Sequence, residues 1–150
     1  MWYHGNGMNI KIVATNKKAF HNFYIGEATE AGIALLGSEI KSIRDGRISL
    51  GDAYVKPERG ELWLVNAHIA RYEASSYMGH DPTRPRKLLL HRKEIIRLTS
   101  QVAEKGLTLV ATKVYLKAGK AKVEIALAKG KKLFDKREAI ERRETNRQME

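Results

Sequence analysis

Leu107-Thr108-Leu109-Val110-Ala111-Thr112-Lys113-Val114-Tyr115-Leu116 and, one turn later, Ala121-Lys122-Val123-Glu124-Ile125-Ala126-Leu127 decide how this 150-residue chain folds. In the second stretch Val123, Ile125 and Leu127 alternate with Lys122, Glu124 and Ala126. A period of two sends one face of a strand into a core and the other toward water. Ala118-Gly119 between the two stretches suits a hairpin turn, since glycine adopts positive φ without steric penalty. A second hairpin is expected where residues 53–55 and 62–65 flank Pro57-Glu58-Arg59-Gly60, with Pro57 presetting φ and Gly60 supplying the positive-φ position. Residues 10–13 form a short β-prone run, and residues 33–36, between Gly32 and Gly37, read as a buried strand.

Three short helices interrupt the strands. Asn16 is placed to cap one over residues 17–21. Ser38 is placed to cap another, with Glu39 in its first turn, Arg44 in its last and Gly46 ending it. The third runs over about residues 91–105, where Ile95, Leu98 and Val102 keep helical spacing until Gly106. The expected fold is mainly β with short helices: an OB-like antiparallel β-barrel over residues 10–128, an architecture that often binds oligonucleotides. Residues 1–9 are expected to be a disordered start, with Met8 a candidate true start. Residues 129–150 hold eight Lys or Arg and five Asp or Glu but few bulky apolar residues. This basic tail is too thinly apolar to dock on a barrel, with a helix able to form from about Asp135. It reads either as a segment disordered alone that folds on a partner or as a frayed terminus.

The formal charge of +11 makes a polyanion the first partner to consider, nucleic acid before an anionic membrane. The absence of cysteine removes disulfides, thiolate nucleophiles and Cys-based zinc sites, and fits a reducing compartment. No apolar run approaches the roughly 18 residues of a membrane span. No nucleophile motif, P-loop or zinc-protease motif is present, and the five histidines lack ligand spacing, so no catalytic, metal or cofactor site is expected. His80-Asp81 could suggest acid–base chemistry, but Pro82 follows, and such a triplet more often marks a turn.

The informative features are basic. Arg84, Arg86, Lys87, Arg92, Lys93 and Arg97 fall within fourteen residues around Leu88-Leu89-Leu90. Arginine forks hold phosphates bidentately. The bland alternative is a solvated helix face beside a buried strand. Lys17 with Lys18, Lys41 with Arg44, and Lys117, Lys120 and Lys122 are further groups. Tyr24, Tyr72 and Tyr115 suit a core better than a stacking platform, whereas Phe134 sits in the polar tail and could stack on a base. Glu30 reads as a surface carboxylate or as an acceptor for base or ribose groups.

Glu30-Ala31-Gly32-Ile33 through Gly37-Ser38-Glu39-Ile40-Lys41-Ser42-Ile43-Arg44 resembles a signature of the SsrA-binding proteins. His80-Asp81-Pro82-Thr83-Arg84-Pro85-Arg86-Lys87-Leu88-Leu89-Leu90 and Gly130-Lys131-Lys132-Leu133-Phe134-Asp135-Lys136-Arg137 resemble two more. Asn16-Lys17-Lys18-Ala19 and residues 106–110 also fit, in order. The resemblance implies a cytoplasmic bacterial protein, not an enzyme. It implies binding to the tRNA-like domain of transfer-messenger RNA (tmRNA), together with the elongation factor-bound alanyl-tmRNA complex. It also implies a tail that enters the decoding centre and empty mRNA channel of a stalled ribosome and becomes helical there. By matching position it implies tmRNA contacts at Asn16, Glu30, Leu89 and Lys122. Lys17, Lys18, Lys41, Arg44, Arg86 and Lys87 are added as electrostatic candidates. In the tail it implies ribosome contacts at Gly130, Lys131, Lys132, Phe134, Asp135, Lys136 and Arg137. Thr29 stands where the family commonly has an aromatic, Ala111 replaces a usual proline, and Phe134 replaces a Tyr or His. Rival readings are a constitutive ribosomal or translation-factor OB protein, a small RNA-processing enzyme, and a generic single-strand binder.

Overall fold

The computed structural model describes residues 2–5, 8–72 and 80–131. In chain order the elements are β1 (Trp2–Gly5), β2 (Met8–Thr15), α1 (Lys17–Asn22), β3 (Phe23–Ile33), α2 (Gly37–Arg44), β4 (Ile48–Ser49), β5 (Tyr54–Glu58), β6 (Glu61–Val65), β7 (His68–Ile69), β8 (Arg86–Leu89), α3 (Arg92–Lys105), β9 (Thr108–Lys117) and β10 (Lys120–Gly130). The large sheet runs β1-β2-β9-β10-β3-β8-β6-β5, and β5 pairs back onto β9. Six antiparallel strands therefore close into a ring, with β2 and β1 continuing from β9. A mostly β chain with three helices agrees with the sequence expectation.

The alternation in β10 explains the closure. Val123 and Ile125 are fully buried and Leu127 nearly so; they join Leu109 and Val114 of β9, Leu62 and Leu64 of β6 and Leu88 of β8 in one core. Burial of such side chains contributes roughly 1.5–3 kcal/mol each. Ile95 and Leu98 bring α3 onto this core, and Ile43 brings α2. Ala126 belongs to the other face. With Val110 and Ala128 it forms a small second cluster under Ala19 of α1.

Both hairpins form, by one device. Ala118 and Gly119 have φ of 50° and 78°, and Arg59 and Gly60 have 52° and 76°. Two successive positive-φ residues match the twist of the flanking strands. The second hairpin departs from expectation in one respect. Pro57 lies within β5 opposite Leu62, and the turn is made by Arg59 and Gly60.

Other boundaries also move. Of the strand expected at residues 33–36 only Ile33 is in a strand, as the last residue of the eleven-residue β3, and residues 34–36 lead into α2. Gly26, Glu27 and Glu30 concealed the earlier residues of β3 by breaking the apolar pattern. Trp2–Gly5 of the start pairs as a strand with residues 8–11, because β2 offers an open edge to residues that favour extended structure. Lys129 and Gly130 pair with Tyr24 and Phe23, and the Lys131 N–H donates to the Asn22 carbonyl. The folded body thus extends past residue 128, and Gly130 belongs to it. Lys132, Phe134, Asp135, Lys136 and Arg137, with the helix expected from about residue 135, lie outside the described residues.

The segment before β8 is held from within. Ser38 does not cap α2, which begins at Gly37. The Glu39 side chain takes the Leu36 N–H instead, at 2.7 Å. Glu39 is fully buried. Its carboxylate also accepts from Arg84 Nε at 3.1 Å, Arg84 Nη2 at 2.6 Å and Arg86 Nε at 2.7 Å. Arg86, equally buried, donates onward to the carbonyls of Ala67 at 2.9 Å and Pro82 at 3.0 Å. Burial pushes the Glu39 carboxyl up, but the two guanidinium groups and the Leu36 amide outweigh it and hold it below its ordinary value. The depressed folded value makes the contribution of Glu39 to stability complete above the ordinary glutamate value of about 4.3. It is lost as pH falls through the folded value.

Glu39→Gln strands a buried guanidinium and is expected to lower the unfolding free energy at neutral pH by about 3–5 kcal/mol. Urea denaturation across pH should show the two proteins converging in acid, where the wild-type carboxylate has been protonated.

Candidate nucleic-acid interface

Strand register decides which side chains share the outer face. Ile12, Tyr115, Lys122, Gly32 and Leu89 lie in one row across β2, β9, β10, β3 and β8. Glu30, Glu124 and Lys113 lie in the next. Directly opposed like charges destabilise a sheet, and Glu30 opposite Glu124 is such a pair. Each is relieved from β9. Glu124 accepts from Thr112 Oγ1 at 2.6 Å and lies 3.7 Å from Lys113 Nζ. Glu30 Oε2 accepts from Tyr115 Oη at 2.5 Å and from Lys117 Nζ at 3.3 Å. Partial burial pushes the Glu30 carboxyl up, but Tyr115, Lys117 and the field of Lys122 prevail and hold it below its ordinary value.

Between these groups the surface is notched. Glu30, Gly32, Leu89, His91 and Lys122 line an open cleft of about 370 Å³. Gly32, Leu89 and Lys122 also line an adjoining one of about 360 Å³, with Arg44 and Lys120 on its rim. Gly32 is the floor of both. A Cβ there would stand 3.2 Å from the Leu89 Cβ, so glycine lets β8 and β3 approach. Leu89 is 51% exposed, an apolar side chain on a basic surface. The combination of an apolar platform, an ionised acceptor and three cations offers one nucleotide a contact for each of its parts: base or ribose face, hydrogen-bond donors, and phosphate.

The structure thus brings Glu30, Leu89, Lys122 and Arg44 together. The other candidates fall elsewhere. Asn16 is buried at the start of α1, its Oδ1 accepting from the Ala19 N–H at 3.1 Å and its Nδ2 donating to the Ala111 carbonyl at 2.9 Å. Both ends of its amide are used in holding α1 to β9. Lys17 and Lys18 are exposed on α1, and Lys18 pairs with Asp52 at 3.2 Å, beside a separate cleft of about 650 Å³ that Asn22, Phe23 and Tyr54 also line. Lys41 stands over the Tyr72 ring, 5.4 Å from its centre. Lys87 lies 3.7 Å from Glu61. Lys131 stands 5.6 Å from the centre of the Tyr24 ring.

Arg86 needs a correction. It was expected to hold phosphate, but it is fully buried and its guanidinium is committed to Glu39 and main-chain carbonyls. Sequence proximity to Lys87 hid this, because alternate residues of a strand face opposite ways. His80 and Asp81 form no dyad. His80 is buried, with Nε2 2.9 Å from the Ile69 carbonyl and Nδ1 2.8 Å from Ser38 Oγ. The carbonyl only accepts, so Nε2 donates to it, while Nδ1 and the Ser38 hydroxyl share a second hydrogen bond. Asp81 turns away to take the Thr83 N–H at 3.0 Å, the turn anticipated for this triplet.

From sequence Tyr115 reads as a core residue rather than a stacking platform, and Gly32 was not singled out for this site. The signal was present: Val123 and Ile125 facing inward put Lys122 outward, and a two-residue turn at 118–119 sets Tyr115 opposite Lys122.

The family model described as SmpB protein matches residues 13–150. The chain belongs to the SmpB family. An SsrA-binding protein of Dehalococcoides mccartyi is 60% identical over 138 residues, 92% of this chain and 80% of that protein. One from a Sulfurihydrogenibium species is 57% identical over 143 residues, 95% and 94% of the two chains. A solved structure described as "tmRNA-SmpB: a journey to the center of the bacterial ribosome" superposes with a TM-score of 0.66 at 49% identity, covering 79% of this chain and 84% of that one. The SmpB match spans both the strand ring and the tail residues 132–150, so it covers both parts of the chain that the sequence assigned to RNA.

Two substitutions separate architecture from interface. Asn16→Ala removes a helix cap and leaves the buried Ala111 carbonyl without its donor. It is expected to lower stability by about 2 kcal/mol. Leu89→Ala, at an exposed side chain, should alter it by no more than about 0.5 kcal/mol while weakening RNA binding. Urea titration and RNA titration of the two proteins give both comparisons.

Proposed function

We propose that the chain binds the tRNA-like domain of tmRNA through the Glu30–Leu89–Lys122 cleft and carries it to stalled ribosomes for trans-translation. Its basic tail engages the small-subunit RNA at the decoding centre and the empty mRNA channel. The observation that carries this reading is the convergence of Glu30, Leu89 and Lys122, from three separate strands, around the Gly32 notch. Membership of the SmpB family and likeness to a chain from a tmRNA–ribosome assembly support the same partners. The elongation factor-bound alanyl-tmRNA complex is the form in which the RNA would be met, and the bacterial cytoplasm is where it would be met.

The protein works as an adaptor, not an enzyme: it joins a folded RNA to a site on a much larger one. Arg44, Lys120 and Lys122 supply phosphate contacts, which position without specifying. Leu89 and Glu30 supply the discrimination. At the other end, ordering each tail residue costs about 1–2 kcal/mol of backbone entropy. Lys131, Lys132, Lys136 and Arg137 offset this only against dense rRNA phosphate, with Asp135 giving orientation and Phe134 a stacking face. Tail engagement is then conditional on a channel without message.

Truncation after Lys131 leaves β10 entire. The shortened protein is expected to bind the tRNA-like domain with unchanged affinity and to lose tagging of nascent chains on ribosomes stalled without a stop codon. Binding to the tRNA-like domain should exceed binding to tRNA and to a duplex of equal length at physiological salt. Equal binding to all three, falling steeply with salt, would indicate phosphate neutralisation alone and favour a generic basic RNA-binding protein of the translation apparatus.

A further inference from the structure

A carboxylate on a surface that binds a polyanion is a contradiction unless it gains something. Glu30 is paired with Lys117 and lies in the field of Lys122 on the outer face, and each phosphate brought to those lysines is repelled by it. The surroundings of Glu30 resolve the contradiction. Oε2 is occupied by Tyr115 Oη and Lys117 Nζ. Oε1 accepts no hydrogen bond from the described residues, and the carboxylate borders the cleft floored by Gly32 and walled by Leu89. Tyr115 is 7% exposed and carried on a strand paired on both sides, by β2 and β10. Its hydroxyl is therefore a fixed point, and the glutamate side chain, otherwise a flexible three-bond arm, is tied at its tip.

Resting on the RNA-binding role given above, we infer that Tyr115 and Lys117 are positioning residues that present Glu30 Oε1 to a nucleotide hydrogen-bond donor, a 2′-hydroxyl or an exocyclic amino group, seated on Leu89. RNA has few donors; these groups and the ring imino N–H supply them. A carboxylate accepts from them and repels the phosphates that surround them elsewhere. The site therefore discriminates for an unstacked nucleotide with its donor turned toward the protein and against a regular backbone. Tyr115 acts through Glu30 and touches no RNA itself. The lowered pKa of Glu30 has the same origin. Lys117 was counted among phosphate-binding candidates by its charge, and the ion pair with Glu30 gives it a different task.

Tyr115→Phe keeps the buried ring and removes only the hydroxyl, and Lys117→Met keeps the aliphatic stem. Each, in the full-length protein, is expected to weaken binding to the tRNA-like domain about five- to tenfold, somewhat less than the worth of one whole charge-assisted hydrogen bond because the Glu30 contact is loosened rather than removed. In a Glu30→Ala background each should change affinity less than about twofold, with the melting midpoint recorded for every variant. Equal losses in both backgrounds would overturn the inference, since Lys117 would then be meeting phosphate and Tyr115 acting through the fold. No loss in either background would overturn it too. Interference mapping with transcripts carrying 2′-deoxy nucleotides or nucleotides lacking an exocyclic amino group identifies the donor. The position whose interference disappears with Glu30→Ala is the contact, and identical maps for the two proteins would rule the contact out. Wild-type binding no better than to duplex RNA would remove the RNA-binding role itself, a result separate from any coupling among Glu30, Tyr115 and Lys117.

Discussion

The buried carboxylate of Glu39 fixes the geometry from which the outer surface follows. It takes four hydrogen bonds, from the amide at the start of α2 and from two arginines that flank the start of β8. A lone charge in such a place would be prohibitively unfavourable, and two opposing guanidinium groups with onward bonds to carbonyls make it tolerable. The clamp joins α2, the segment after β7 and β8 at one point. It determines where β8 meets β3, hence where Leu89 stands relative to Gly32. A candidate nucleotide cleft on the outside is thus set by an ion cluster on the inside.

This division also explains the crowding of charged residues before β8. Arg84 and Arg86 face the interior cluster, while Lys87 faces outward. Charge alone does not reveal an RNA contact: in this segment two of three cations serve the fold. His80 and Ser38 contribute similarly, tying the loop after β7 to α2 through the His80 ring.

Much of the fold was legible in the sequence because its signals are local. The β9–β10 hairpin was plain from alternation and Ala118-Gly119. α3 was plain from Ile95, Leu98 and Gly106, and α1 from Asn16 ahead of Ala19. β3 was not, because its early residues answer to α1 and to solvent and carry no alternation. The cap of α2 was misassigned to Ser38 because a glutamate reaching back over one turn mimics an ordinary first-turn acid. For the site, Glu30, Leu89 and Lys122 came from resemblance to a family. Their meeting at one notch depends on the register of three strands distant in sequence, which no local pattern encodes. The burial of Arg86 was beyond reach for the same reason, since its partner lies 47 residues away.

β10 carries Lys122 at the cleft and Gly130 at the root of the tail, eight residues apart on one continuous strand. At about 3.3 Å per residue these points are separated by roughly 26 Å. Lys131 is fastened to Asn22 just beyond. The strand therefore sets the span between the cleft and the point where the tail begins. Under the proposed function, the cleft that holds the RNA and the root of the segment that meets the ribosome are thus spaced by a paired strand rather than by a linker.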